Sequence, residues 1–325
     1  MKYEEFANSF MDLLKQNYPS DTEITRHDVL KSNGVVLDGV TVKQAGASIA
    51  PTIYLDGLFE KYEKGYGIPQ IVEDAVKAVN AHLNATIKLP ELTRESAKIH
   101  LYCVVVNYEK NKEMLKDTPY EVICKDLAVI PRFRVGEDGS FLVRNSVCEA
   151  LMMTPEEVME LAHSNTDKEV YSCKSLQEVL FGLMSNSDLS EDFLDDVMTE
   201  GQECMMYVLT NERKYDGAAA ISSPKALKDA FEKIGPYYIL PSSRHELILV
   251  PEKVVTDVRD IESIVREINQ SSVSEEDFLS DSIFHFEGKN LTRVDSQAET
   301  MGETMSETFE KVLADAPVMS HAHAH

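Results

Sequence analysis

Paired apolar runs separated by very short polar turns constrain this chain more than any other feature. Lys125 to Val135 and Phe141 to Asn145 flank Gly136-Glu137-Asp138-Gly139. Asp-Gly between two apolar runs is a strong hairpin signal, because the turn that suits twisted strands needs positive φ. Parallel neighbours need crossovers of a dozen residues or more, so such short links argue for antiparallel pairing. The same design recurs. Residues 40–43 and 49–55 flank Ala45-Gly46-Ala47-Ser48, residues 205–210 precede an apolar run at 217–221, and residues 237–240 face 247–251 across Pro241-Ser242-Ser243-Arg244-His245-Glu246.

Helical periodicity follows most of these pairs. Ile68, Ile71, Val72, Ala75, Val76, Val79 and Leu83 form one apolar stripe, the spacing of a core-facing helix. Phe6, Phe10, Leu13 and Leu14 predict a first helix over 3–18, broken at Pro19-Ser20-Asp21. A short helical turn over 27–32 ends at Asn33-Gly34. Thr154-Pro155-Glu156-Glu157 carries a capping box, and Ser223-Pro224 opens a helix that Gly235 closes. Further helices are predicted over 175–184, 190–198 and 261–268, with a cap at Ser274-Glu275-Glu276-Asp277. Ile99 to Asn107 is an unbroken apolar run of strand length, although periodicity alone leaves a buried helix open. Hairpin followed by helix appears about four times without repeating residue identities. The expected fold is therefore α+β, a mostly antiparallel sheet with helices packed on it. Residues 1–287 read as one domain, with a possible pair of lobes meeting near 165–200. From about Asn290 the apolar content falls, and 288–325 reads as an acidic tail, disordered or marginally helical. Met301, Met305, Phe309 and Val312 share helical spacing there and could fold against a partner.

Composition narrows the function classes. Lys and Arg number 32 against 56 Asp and Glu, a net charge of −24. Phosphate neutralisation supplies most non-specific nucleic-acid affinity, and no basic cluster offsets the charge, so neither nucleic acid nor an anionic membrane is expected as partner. Such charge serves solubility, or a surface for a basic partner. No apolar run approaches the length of a membrane helix. The N-terminus, with Glu4 and Glu5 and no apolar signal core, is not expected to be a secretory leader. Cys103, Cys124, Cys148, Cys173 and Cys204 are odd in number and widely spaced. That pattern fits a reducing, cytoplasmic compartment rather than a disulfide or zinc framework.

The turn at 241–246 is the leading site candidate. Arg244, His245 and Glu246 put a guanidinium, an imidazole and a carboxylate in consecutive positions beside Tyr237 and Tyr238. His245 could act as a general base oriented by Glu246, or Arg244 could hold an anion. Against this, alternation sends His245 and Glu246 to opposite faces; Arg244 and Glu246 then read as ordinary turn residues, with His245 packed at the strand start. A zincin would need a second His at position 249, which is Leu. Ser242 and Ser243 lack the glycines of a nucleophile elbow. Cys148 and His163 are not otherwise supported as a pair. The acids from Asp188 to Asp196 lack the glycine and spacing of a calcium loop. Phosphate-binding glycine loops are missing. His321, His323 and His325 could bind metal weakly, and no role is assigned to them. An enzyme would bring distant polar groups such as Asn107, Arg144 and Asn145 to the same cleft.

In combination, Asn33-Gly34-Val35-Val36-Leu37-Asp38-Gly39, Ile49-Ala50-Pro51-Thr52-Ile53-Tyr54-Leu55, Asn107-Tyr108-Glu109-Lys110-Asn111, 237–251 and Leu279-Ser280-Asp281-Ser282 resemble an uncharacterised bacterial family of domains of unknown function. The resemblance covers about residues 1–287. It implies one integral fold and brings no activity, cofactor or catalytic residue. The expectation is a cytoplasmic binding or interaction module that recognises a protein or a small anionic ligand through Tyr237, Tyr238, Arg244, His245 and Glu246, with no cofactor and no metal. The alternative is a metal-independent hydrolase or transferase centred on Arg244, His245 and Glu246.

Overall fold

The structure is a computed structural model that describes residues 2–44, 50–84, 90–136, 139–184 and 206–294. The chain divides into two compact units, one within Met1–Lys88 and a larger one beginning at Leu89. Residues 165–184 lie inside the larger unit. Every strand pair among the described residues is antiparallel, and helices and strands are both abundant, so the fold is α+β.

The first unit comprises α1 (Tyr3–Lys15), β1 (Glu23–Leu30), β2 (Val36–Lys43), β3 (Thr52–Tyr54), α2 (Leu55–Glu63) and α3 (Ile68–Asn84). The sheet order is β1-β2-β3. Phe6, Phe10 and Leu14, spaced by four on α1, meet Ile71, Val72 and Val79 of α3 over Val40 and Val42 of β2. That burial follows from the two periods, near 3.6 on the helices and 2 on the strand. The sequence stripe on α3 is realised. The helical turn expected over 27–32 is not: residues 27–30 belong to β1, which pairs with β2 from Glu23↔Lys43 to Leu30↔Val36, and only a 3-10 turn over Ser32–Gly34 follows. Ile24 and Arg26 are half-buried while Thr25 and His27 are exposed, a period of two that the short window disguised. Asn33 and Gly34 do take positive φ (60° and 74°), turning a hairpin rather than ending a helix.

The larger unit contains α4 (Arg94–His100), β4 (Leu101–Asn107), α5 (Lys112–Leu115), β5 (Glu121–Ile123), β6 (Leu127–Val135), β7 (Gly139–Leu142), α6 (Asn145–Leu151), α7 (Pro155–Thr166), β8 (Tyr171–Ser175), α8 (Leu176–Met184), β9 (Tyr207–Asn211), α9 (Pro224–Ile234), β10 (Tyr237–Leu240), β11 (Leu247–Pro251), α10 (Val258–Ser271), β12 (Phe284–Phe286) and β13 (Leu291–Arg293). One sheet runs β13-β12-β10-β11-β9-β8; the other is β4-β6-β5 with β7 also on β6. One core joins them: Leu101, Cys103 and Phe133 of the smaller sheet share it with Tyr237, Ile239 and Leu249 of the larger. The opposite face of β4 and β6 buries Tyr102, Val104 and Ile130. A strand covered on both faces must be apolar throughout, which explains the run from Leu101; Ile99 and His100, expected in the strand, instead end α4, with Ile99 exposed. Pro131, with no N–H to donate, sits in β6 between the stretches that pair with β5 and with β7, where its missing donor is tolerated.

The expected boundaries hold where local chemistry is strong. Thr154 accepts the Glu157 N–H, and Glu157 accepts the Thr154 N–H; Ser223 accepts from Ala226. The 217–221 segment, expected as a strand, is a 3-10 helix spanning Gly217–Ser222. Lys214 and Asp216 take positive φ, and a run of alanines lacks the branched side chains that favour strands. Ser274 begins a single turn, not a helix. β13 falls within the stretch expected as tail. The 190–198 helix, the turn at 45–48, Asp138, Cys204 and the histidines at 321, 323 and 325 lie outside the described residues.

Candidate functional site

The polar turn between β10 and β11 is interior. Ser242, Ser243, Arg244 and His245 are all less than a tenth exposed. Two segments clamp it. On one side the 3-10 helix donates from the Ala218 N–H to the Arg244 carbonyl at 3.1 Å. On the other, residues 277–280 lie alongside: Arg244 N–H donates to Asp277 O, and Leu279 N–H to Ser242 O. Gly217 makes the close approach possible, since a Cβ there would sit 2.2 Å from Thr210 Oγ1 and 2.4 Å from His245 O.

This clamp places Asp216 beneath Arg244. Nε and Nη2 of Arg244 both donate to Asp216 Oδ1, at 2.9 and 2.5 Å. Tyr102 of β4 donates its hydroxyl to Oδ2 at 3.0 Å. Arg244 is 6% exposed and Asp216 2%. Burial works against the guanidinium charge, but Asp216 outweighs it and the Arg244 pKa is raised. Positive φ at Asp216 (55°) suits a residue whose short polar side chain tolerates the left-handed region. Tyr215 completes the cluster, its ring 5.6 Å from the guanidinium and 4.9 Å from the His245 ring.

His245 is engaged on both ring nitrogens. The Asp216 N–H donates to Nδ1 at 3.4 Å, and Nε2 lies 3.3 Å from Asp277 Oδ1. Burial pushes the Asp277 carboxyl up, but His245 and the Ser274 hydroxyl overcome it and hold the group down at about 2. Nδ1 accepts from the backbone, while Nε2 makes an ion-pair approach to the carboxylate without hydrogen-bond geometry. At 3% exposure the ring is turned into the interior rather than toward a substrate. Glu246 is half-buried beside this pair, and burial raises its pKa.

The remaining candidates disperse. Tyr237 is wholly buried and donates its hydroxyl to Leu227 O at 2.9 Å. Tyr238 points to the opposite sheet face and packs on His285, with rings 4.9 Å apart. Asn107 braces the clamp by donating to Leu279 O. Arg144 instead pairs with Asp117 at 3.3 Å, and Asn145 opens α6, so neither joins Arg244. Cys148 is buried, while His163 pairs with Glu121 at 3.0 Å. Sequence reasoning missed Tyr102, Tyr215, Asp216 and Asp277. Asp216-Gly217 carried a turn signal, but the other three gave none. Among the described residues no group of three or more His, Cys, Asp or Glu could hold a metal ion.

A second charged centre lies in the first unit. Arg26 of β1 pairs with Glu4 of α1 at 2.9 Å and with Asp38 of β2 at 2.6 Å, and Tyr3 donates its hydroxyl to Asp38 at 3.0 Å. These side chains, with His27 and Asp28, line an open cleft of about 490 Å³. Asp28 stands directly opposite Asp38 across the hairpin, a repulsive like-charge pair. Burial raises the Asp38 pKa, but Arg26 and Tyr3 reverse that and leave it lowered.

Fold and centres define an α+β protein with a polar turn, Ser242 to His245, built into its interior. The chain belongs to a family of unknown function, DUF5688, whose sequence model matches residues 3–288. No curated protein and no solved structure matches it.

Proposed function

We propose that this chain is a non-enzymatic interaction module of the bacterial cytoplasm, with a protein as its partner. One observation carries the reading. The groups at 244–245 that could have done acid–base or anion chemistry are committed to each other: Arg244 to Asp216, and His245 to the Asp216 N–H and to Asp277. A general base must reach the proton it removes, and the His245 ring is buried, with Nδ1 and Nε2 turned to Asp216 and Asp277. A small anion loses its anchor for the same reason. The charge of −24 supports a partner that is neither nucleic acid nor an anionic membrane surface. No described helix is long and apolar enough to cross a membrane. Cys103, Cys124, Cys148 and Cys173 are free thiols, in keeping with a reducing compartment.

The test pairs two measurements on the full chain. Affinity capture from cytosol should return a specific protein partner. A panel of ester, phosphate and peptide substrates should show no turnover. Turnover that disappears in a folded His245→Gln variant would establish the hydrolase or transferase reading instead.

A further inference from the structure

We propose that the binding partner of β1 is a second copy of this chain, joined edge to edge through an antiparallel β1–β1 pairing centred on His27. The inference rests on the interaction-module reading and adds the partner's identity and register.

β1 is an edge strand of eight residues, and among the described residues only β2 pairs with it. It carries no proline and its ladder runs without a bulge, so it lacks two of the usual devices that blunt an edge. The hydrogen-bonding direction follows from the ladder. Lys31 N–H donates to Val35 O across the hairpin, while Val42 N–H of β2 donates the other way, to Pro51 O. With a period of two, Glu23, Thr25, His27 and Val29 bond to β2. Ile24, Arg26, Asp28 and Leu30 therefore turn their N–H and C=O groups to the free edge. Leu30 is 66% exposed and its neighbour across the hairpin, Val36, 54%.

An incoming strand must keep these four residues facing it, so register can change only in steps of two. Centred on His27, an antiparallel copy sets Arg26 opposite Asp28 of the second copy, and by symmetry Asp28 opposite Arg26. Ile24 then meets the exposed Leu30, Thr25 meets Val29, and Glu23 meets Lys31. Every charged cross-strand pair is of opposite sign, the arrangement that stabilises a sheet. One step either way sets Arg26 against Arg26, or Asp28 against Asp28. The Asp28 carboxylate, which faces Asp38 within its own hairpin, gains a cation only in the His27-centred register. Lys31, which lies 4.3 Å from the Tyr54 ring centroid, gains a carboxylate on its other side. The result is an isologous contact that joins two three-stranded sheets into one of six strands.

Sedimentation of the full chain at physiological salt, from about 1 to 200 µM to capture a weak interface, should show a monomer–dimer equilibrium. Glu23→Lys and Lys31→Glu should each weaken the dimer by about tenfold or more, since each reversal is applied twice by symmetry. The double variant should restore it, because the exchanged side chains at 23 and 31 again face each other with opposite charge. In His27→Cys, the central pair lies about 4.5 Å apart at Cα, within disulfide reach. Mild oxidation should give a 27–27 cross-linked peptide by mass spectrometry, and Thr25→Cys, opposite Val29, should give no 25–25 peptide. A monomer throughout that range, failure of the double variant to recover, or equal cross-linking at 25 and 27 overturns the pairing. A monomeric chain that still captures another protein removes the self-pairing alone, whereas turnover lost in His245→Gln removes the reading beneath it.

Discussion

Replacing Arg244 with Met tests whether the interior charge pair holds the larger unit together. Met keeps much of the apolar stem and removes both donors to Asp216 Oδ1. Asp216, 2% exposed, then keeps only the Tyr102 hydroxyl on its other oxygen. Breaking a buried pair by removing one partner typically costs about 3–5 kcal/mol, because a charge is left uncompensated. That is comparable to the roughly 2–5 kcal/mol expected for Leu240→Ala in the core, where Leu240 is fully buried. Read as an ordinary turn residue, Arg244 would cost far less, since surface substitutions usually change stability by less than about 0.5 kcal/mol. Asp216→Asn keeps a residue that tolerates the left-handed backbone and removes the opposing charge. The double variant Arg244→Met/Asp216→Asn should therefore cost clearly less than the sum of the singles, a coupling of at least about 1 kcal/mol. Urea unfolding followed by far-UV circular dichroism and tyrosine fluorescence gives the numbers, fitting only the transition that the substitutions move, since two compact units need not unfold together. A cost below about 1 kcal/mol for Arg244→Met, or strictly additive singles, would refute the argument.

The other predictions draw on the same clamp and its edges. Asp277 is depressed to about 2, so its contribution is complete above the unfolded-chain value and is lost as pH falls through about 2; about 2 kcal/mol is at stake. Denaturant midpoints from pH 7 to 2 should fall steeply below about pH 4, and Asp277→Asn should flatten that limb. The raised Glu246 works in the opposite sense: its contribution is present below the unfolded value and is lost as pH rises through the folded one. Glu246→Gln should therefore gain stability relative to the parent on the neutral side, and no gain at pH 7 would contradict this. Gly217→Ala would push a Cβ into the Thr210 hydroxyl and the His245 carbonyl and should cost about 1–3 kcal/mol or more in the same unfolding assay. A chain ending at Glu287 lacks β13 and the Arg293–Asp126 ion pair of 2.9 Å; it should melt below one ending at Val294, and equal melting would show that β13 adds nothing.

The sequence by itself determined what depends on neighbours along the chain. The stripe on α3, the capping box at Thr154, the serine cap at Ser223, the positive φ at Asn33-Gly34 and the β10–β11 and β6–β7 hairpins are short-range effects, set by side-chain period, a cap hydroxyl or a turn residue. Antiparallel α+β architecture follows from them because short links admit no parallel crossover. Tertiary structure alone decided which polar residues meet. Tyr102, Asp216, Arg244 and Asp277 come from four distant segments, and no local pattern marks an Asp as the partner of an Arg 28 positions later. The same holds for β1, where a half-buried strand reads like a helical turn until its pairing with β2 is known, and for Gly217, where the close approach to Thr210 and His245 leaves no room for a Cβ. Turn chemistry told where the chain reverses. Whether a reversed turn faces water or lies under another segment is a property of long-range packing, and here that packing turned the most reactive stretch of the sequence into part of the core.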